Sequence, residues 1–566
     1  MIDEPFYQRG SLLTTEIFSH YDKSMKISPL DSTHSLFQSA KLFFSGTFLS
    51  RLSGMARDIS MTFAFGTSPE IAAFLLAFRL AHLCRRLFGE GALHSAFIPV
   101  FEDERSQGKN VAAYQFFLHT QGGISAALLL LISLSIAGLG SVLLWVPLSA
   151  SNQEIVWLTL LMMPSLLFIC LYGVSAAFLN CEKKYFVPGI APVLFNLIWI
   201  ISALWLSSTA PKLAMQYLAI SVILGCLLQW AATIPSIHSI FKKEHLTLTW
   251  KMLTPNFASL KKLIKPLAWG VIGIAASQIN NTLDVLFARY ASVEGPAYLW
   301  YAIRLQQLPL ALFGISLAGA LLPPLTRSIK ENQPHVFFEL LKFSLEKTFA
   351  LMLPLTCALL ALSGSSINLL YGRGLFSNDS AYETTLCLWG YGLGLLPMAL
   401  ILILAAVFYA QKNYRIPMIS SIIAMILNLV LNTAMVAIFE WGPASIAIAT
   451  SVSAWVNVFY LLFGLPKNIY VQILQTLRLP FLKILGASSL ALCSTSLLAH
   501  FFFNEMTVFS ILNQNSETYF PRDFSLQCLH FSVQFGCFLV TLTVASWLCR
   551  SQEILGLFSR TESVKI

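Results

Sequence analysis

The sequence predicts an all-α polytopic membrane protein of fourteen transmembrane helices, built as two six-helix lobes in a parallel pseudo-two-fold repeat plus two C-terminal helices. Three observations carry this. Of 566 residues, 56% are hydrophobic and only 11% charged, against roughly 25% charged in a soluble domain, and the mean hydropathy is +0.70. Apolar runs of about 20 residues, the length a helix needs to cross the hydrocarbon layer, recur along the whole chain. The chain also repeats itself: Arg79 to Gly89 reads RLAHLCRRLFG, and 225 residues later Arg304 to Gly314 reads RLQQLPLALFG. A proline follows each glycine after ten residues, Pro99 and Pro324. A second echo pairs Lys183, Tyr185 and Pro188 in CEKKYFVP with Lys412, Tyr414 and Pro417 in AQKNYRIP. The offset spans six helices, an even number, so the halves share orientation and a binding site is expected between them.

In order, residues 1-34 are polar, mixed in charge and without a compact apolar h-region, which reads as a cytoplasmic N-terminal lead with no cleavable signal. The first lobe, 35-241, holds spans near 36-64, 71-100, 113-146, 155-180, 186-207 and 213-241. A basic stretch, 242-265, is the cytoplasmic linker, and the second lobe, 264-466, holds spans near 264-291, 297-325, 336-361, 384-410, 415-439 and 442-465. Residues 467-566 carry the last two helices, near 481-503 and 526-549, and a tail. With the N-terminus cytoplasmic, the cytoplasmic loops and tail hold nineteen Lys and Arg, while the opposite loops hold Lys212, Arg373 and Arg522. The positive-inside rule therefore places both termini in the cytoplasm.

The same bias accounts for the net charge of +9. No basic cluster interleaved with aromatics sits in a soluble-looking segment, so nucleic acid is not an expected partner. The ten cysteines are scattered singly and never as C-x-x-C, which excludes a disulfide framework or a zinc site as the organising feature.

The stretch from Ser50 to Glu104 is exceptional. Arg51, Arg57, Asp58, Arg79, Arg85, Arg86 and Glu90 stand inside its apolar segments. Arg51 and Asp58 fall about 20° apart on one helix face, and Arg79, Arg86 and Glu90 form a second stripe. Each such charge costs about 2.5 to 3.5 kcal/mol in a bilayer, so a wet functional cavity is the expected surrounding. The alternative for Arg57 and Asp58 is a helix end from which they snorkel to the headgroups. In the second lobe Arg304 repeats Arg79, but Leu310, Ala311 and Ile315 replace Arg85, Arg86 and Glu90, so the cationic side belongs to the first lobe. Lone His82 and His94 read as satisfied polar groups on their helices.

The runs SRLSGMARD, AFRLAHLCRRLFGEGALHSAFIPVFED, YAIRLQQLP with LFGISLAGALLPPL, and LNCEKKYFVPGIAPVLFN resemble the MurJ/MviN lipid II flippases of the multidrug/oligosaccharidyl-lipid/polysaccharide exporter superfamily. The resemblance covers essentially the whole chain. It implies a non-enzymatic transporter of the bacterial cytoplasmic (inner) membrane, moving the undecaprenyl-pyrophosphate-linked muropeptide lipid II from the inner to the outer leaflet for peptidoglycan synthesis. It also implies substrate-binding roles for Arg51, Arg57, Arg85 and Arg304, with Glu90 a further cavity residue; Arg79 and Arg86 share the cationic stripe. Charge chemistry agrees, because a planar guanidinium grips phosphate oxygens while staying ionised, and Arg51, Arg85 and Arg304 would form the clamp. Three departures from the family pattern, Ala72, Ala81-His82 and Ile303, remove acids or a Pro-Asn step and bear on any proton or salt-bridge role for them.

Some members of this family bind sodium in the second lobe. Asp284, Asn428, Asn432, the Ile446 carbonyl and Thr450 occupy comparable places, with Asn432 where an acid is expected, and oxygen ligands suit a hard cation. The competing view is that Asn428 and Asn432 only hydrogen-bond across packed helices. No cofactor other than sodium is expected, and membrane lipids are the remaining partners. Among rival functions, a multidrug or other polyprenyl-pyrophosphate-oligosaccharide exporter of the same superfamily shares the fold, but a cation exporter would favour acids in the cavity. A membrane glycosyltransferase needs catalytic acids on an outer loop; Asp379, Glu383, Glu505, Glu517 and Asp523 offer no paired arrangement.

Overall fold

A computed structural model of the chain describes residues 33–83, 85, 92–106, 110–244, 257–507, 520–551 and 553–555, all helix and connecting turn with no strand among them. Local chemistry sets many of the starts. Ser68 caps α2 (Pro69–Ala81) by accepting from Ile71 N, and Pro69 sits where a missing N–H costs nothing. Ser149 caps α5 (Ala150–Met162), Ser377 caps α14 (Asn378–Gly392) and Asp523 caps α19 (Phe524–Leu548) in the same way. Pro164 separates α5 from α6 (Ser165–Cys181), and the two helices bend by 44° there because proline supplies no N–H to the ladder.

The first lobe comprises α1 (Thr33–Phe65), α2, α3 (Ala92–Ser106), α4 (Asn110–Trp145), α5, α6, α7 (Phe186–Trp205), α8 (Pro211–Ala231) and α9 (Ile234–Lys243). The second comprises α10 (Phe257–Ala291), α11 (Gly295–Pro309), α12 (Ile315–Lys330), α13 (Pro334–Tyr371), α14, α15 (Leu395–Ala410), α16 (Arg415–Asn432) and α17 (Ala444–Phe463). Then α18 (Lys467–Phe503) and α19 pack on each other and on α13. Half of the linker, 245–256, lies outside the described residues, and α10 begins at Phe257.

Among the described residues, ten helical segments are long and apolar enough to cross a membrane, eleven when bent α5–α6 counts as one span. The expected fourteen is not reached on that measure. The three spans that fall short are α1, the interrupted α2–α3, and α10, which carry Arg51, Arg57 and Asp58, Arg79 and Arg85, and Asn280, Asn281 and Asp284. Two helices run longer than their apolar cores: α13 continues to Tyr371, and α18 starts at Lys467, where Ile473 and Leu477 on one face are buried against the second lobe.

The repeat is visible in backbone detail. Lys183 and Lys412 both adopt positive φ, 57° and 58°, unusual for lysine. Each closes its helix with the same bond pattern: Lys184 N to Leu179 O at 2.8 Å in the first lobe, Asn413 N to Phe408 O at 2.9 Å in the second. The other echo also repeats an irregularity. Helix α2 stops at Ala81, while Leu310 to Gly314, the twin of 85–89, forms a π-helical turn. Residues 86–91 lie outside the described residues.

At the helix ends opposite those lysine turns, the lobes meet through backbone. Leu375 N donates to Phe63 O at 3.1 Å, and the Thr67 and Ser380 hydroxyls lie 2.5 Å apart. Gly66 and Gly374 have φ of +60° and +63°, and a Cβ on either would collide with the facing carbonyl, Leu375 O or Phe63 O. Glycine is required by both conformation and proximity. At the other end α10 lies against α3, and Lys262 pairs with Glu104. Replacing Gly374 with Ala should destabilise this closed arrangement by about 1 to 3 kcal/mol, seen as a lower melting temperature of the purified protein. Gly138→Ala, with no atom within 4 Å of the added Cβ, should show no loss.

Candidate functional site

The charges within α1 are not at a frayed helix end. Arg57 and Asp58 are 7% and 3% exposed, which rules out snorkelling. Their burial is compensated by a dense set of partners. Arg57 donates from Nη2 and Nε to Asp58 Oδ1 at 2.8 and 3.1 Å, and from Nη1 to Asn196 Oδ1 at 3.2 Å. Asn196 in turn donates to Ser53 Oγ at 2.8 Å. The Arg57 guanidinium lies 4.7 Å from the Trp199 ring centre, an attractive placement for a cation.

Asp58 reaches the second lobe as well. Arg304 Nε is 3.1 Å from Asp58 Oδ2, the Arg304 guanidinium lies 4.4 Å from the Trp300 ring centre, and Trp300 Nε1 donates to Asp58 Oδ1 at 3.4 Å. One carboxylate thus serves arginines from both lobes. Asp58 was not among the residues assigned to the site from sequence, although its adjacency to Arg57 and its place on the Arg51 face were available signals. It also supplies the acidic partner that Ile303 cannot.

Around this cluster lies a cavity of about 350 Å³ lined by Arg51, Arg57, Asp58, Arg85, Gln229 and Arg304, among others. A second space of about 290 Å³ shares Arg85 and Arg304 with it and adds Arg79, Gln278 and Asn281. The structure therefore brings Arg51, Arg57, Arg85 and Arg304 to one cavity and Arg79 to its neighbour; Arg86 and Glu90 lie outside the described residues. Among the described residues, five guanidiniums and one carboxylate line these two spaces. Such an arrangement attracts an anion. His82 borders both spaces with its ring nitrogens placed at Phe78 O, 3.0 Å, and Ser165 Oγ, 3.2 Å, a satisfied polar group; the side chain of His94 is outside the described ones.

A third space, about 150 Å³, adjoins the second at Arg79 and reaches Asp284 and Thr450. Here the second-lobe residues converge. Asn432 Nδ2 donates to Asp284 Oδ1 at 2.8 Å and to Asn428 Oδ1 at 3.0 Å, and Thr450 Oγ1 lies 3.3 Å from Asp284 Oδ2 and 2.9 Å from Ile446 O. All five positions are in mutual reach. Asn432, fully buried, leaves its Oδ1 without a partner, an acceptor that a hard cation would satisfy.

Of the outer carboxylates, Glu505 is buried against His530, at 2.6 Å, and Gln534, whose amide accepts from Ser365 on α13. It docks the C-terminal helices. Asp523 caps α19, and Glu517 lies outside the described residues.

Two helical lobes closing on a charged cavity define a multi-pass membrane transporter of the exporter type. Its fold matches a solved structure titled "Lipid II flippase MurJ, inward closed conformation" with a TM-score of 0.68 at 24% identity, covering 89% of this chain and 99% of that one. An inward-facing multidrug resistance MATE family transporter of the MOP superfamily matches with a TM-score of 0.61 at 14% identity over 77% of this chain and 99% of that one. The family model for lipid II flippase MurJ matches residues 61–515. A Chlamydia muridarum protein described as "Probable lipid II flippase MurJ" is 34% identical, covering 78% of this chain and 80% of the relative, and a Chlamydia pneumoniae protein of the same description is 31% identical over 94% and 96%. The chain belongs to the MurJ lipid II flippase family.

The shared carboxylate makes a quantitative prediction. Asp58→Ala leaves Arg57 buried without its main partner, a change of about 3 to 5 kcal/mol in comparable pairs, and should lower the melting temperature sharply. In a double-mutant cycle with Arg304→Ala the two losses should fall short of additive by about 0.5 to 3 kcal/mol.

Proposed function

We propose that the chain flips lipid II from the inner to the outer leaflet of the bacterial cytoplasmic membrane by alternating access. The observation that carries this reading is the meeting of Arg51, Arg85 and Arg304 at one cavity between the lobes. A diphosphate in low dielectric needs about two compensating charges, and guanidiniums supply them with a fork matched to phosphate oxygens. Arg57, held by Asp58 and Asn196, sets the position of that carboxylate. A cavity of about 350 Å³ is at the small end for even a drug-sized ligand, so the present closed form accommodates the diphosphate and its nearest sugar, and loading a muropeptide requires the lobes to part. The lysine and arginine bias places both termini in the cytoplasm. A membrane potential, negative inside, then favours outward movement of a net anionic head group, or return of the empty cationic cavity, by about 2.3 kcal/mol per charge per 100 mV.

Sodium fits the second-lobe cluster. Asp284, Asn428, Asn432, Ile446 and Thr450 would hold it through oxygen atoms, the orphaned Asn432 Oδ1 included. Bound there, the ion supplies a positive charge that offsets the buried Asp284 carboxylate.

Complementation of a flippase-depleted bacterium, with a leaflet assay of lipid II, tests the function. Arg51→Ala and Arg85→Ala should abolish rescue while the protein still reaches the membrane, and Lys at either place should restore little. Full rescue by both alanine variants would overturn the assignment. For the cation, sodium at one hundred times its dissociation constant should stabilise the purified protein by about 2.7 kcal/mol, and Asp284→Ala should remove the effect. A melting temperature indifferent to sodium at matched ionic strength would leave the cluster a packing device.

A further inference from the structure

The arginines account for the anionic part of a ligand; one feature of the same cavity answers to a neutral part. Gln229, on α8, is 2% exposed and borders the cavity, yet its Nε2 has no hydrogen-bond partner. Among the described residues it is the one side-chain amide nitrogen fully shut off from solvent that has no partner. Gln121 donates to Ser175, Gln306 to Tyr391 O, Gln534 to Glu505, and Asn196, on the same cavity, to Ser53. Buried donors in native proteins are paired, and an exception calls for an explanation. Packing does not provide one, since an apolar side chain of the same size would fill the place without the penalty.

The cavity lining bears on what Gln229 would meet. Apolar Ile169, Pro192, Phe195 and Cys226 line it together with Asn196, while its guanidiniums come from α1, from Arg85 beyond the end of α2, and from α11. A phosphate is served by the arginines. A donor flanked by apolar surface suits a carbonyl oxygen that carries a small apolar group, and an acetamido group has both in one unit: an acceptor for the amide and a methyl for the apolar residues. The terminal torsion of glutamine is soft, so the amide can turn to an acceptor inside the cavity.

Resting on the lipid II reading above, we infer that Gln229 recognises an acetamido group of the N-acetylated amino sugars, making it a specificity-determining residue for the transported head group. It distinguishes the glycosylated lipid from the bare polyprenyl diphosphate, which the arginine clamp alone cannot do.

The test uses the purified full-length protein and three lipids: undecaprenyl diphosphate, lipid II, and a polyprenyl diphosphate carrying neutral hexoses without acetamido groups. Wild-type protein should bind lipid II about tenfold more tightly than the hexose lipid, the ratio expected for one buried hydrogen bond. Gln229→Met, which keeps the volume and removes the donor, should lose that preference with its affinity for undecaprenyl diphosphate and its melting temperature unchanged. Arg85→Ala should weaken all three lipids and retain the preference. The inference is overturned if Gln229→Met keeps the tenfold ratio, or if it weakens all three lipids equally, as a structural role would. Wild-type binding of lipid II with no acetamido preference would also overturn it while leaving the flippase reading intact. Wild-type protein that binds none of the lipids would overturn both.

Discussion

The constraint on which the rest depends is the burial of excess positive charge between two lobes in a membrane. Among the described residues lining the two larger spaces, Arg51, Arg57, Arg79, Arg85 and Arg304 are accompanied by one acid, Asp58, and a charge in that setting persists only with partners. Asp58 neutralises part of the excess, and the Trp199 and Trp300 rings add quadrupole attraction for Arg57 and Arg304. The described lining keeps a net positive charge, a field that favours an anionic group over a cationic one.

Much of this was legible in the sequence because polarity inside an apolar segment is conspicuous. Arg51, Arg85 and Arg304 could be assigned to one cavity from their place in the repeat and from the family resemblance, and the structure brings them there. Asp58 was harder: next to Arg57, it reads equally well as half of a helix-end pair until its distance to Arg304 across the lobes is known. Gln229 carried no signal at all, since one glutamine in an apolar helix marks a site only when its neighbours are seen to leave it unpaired. The lysine turns show the opposite case. The echo of CEKKYFVP in AQKNYRIP points to a repeat, and the shared left-handed backbone at Lys183 and Lys412 shows that both lobes make the same turn there.

Helix limits were least legible where amphipathic turns extend an apolar core. The end of α13 and the start of α18 are polar enough to read as loops, yet each buries one face, and Asn368, near the end of α13, bonds to Pro521 O ahead of α19. The extension matters to the gate. Beyond Tyr371 the chain turns through Gly374 to meet Phe63, while Gln527 and Arg522 hold the Gly372 carbonyl from behind. The C-terminal helices thus brace the segment that closes the lobes.

The asymmetry of the lobes follows from the same electrostatics. The anion-binding arginines are mostly on the first lobe, and the oxygen cluster around Asp284 is on the second; placed on one lobe, the two would neutralise each other. Arg79 is the residue at the seam. It borders the space that reaches Asp284 and the space that holds Arg85 and Arg304, so a change of charge on either side alters the field in which its guanidinium sits. Charges placed in either space would therefore act on the same guanidinium. A cation at Asp284 raises the positive potential at Arg79 and, through it, the attraction felt by an anion beside Arg85. By reciprocity the anion strengthens the cation's binding by the same factor.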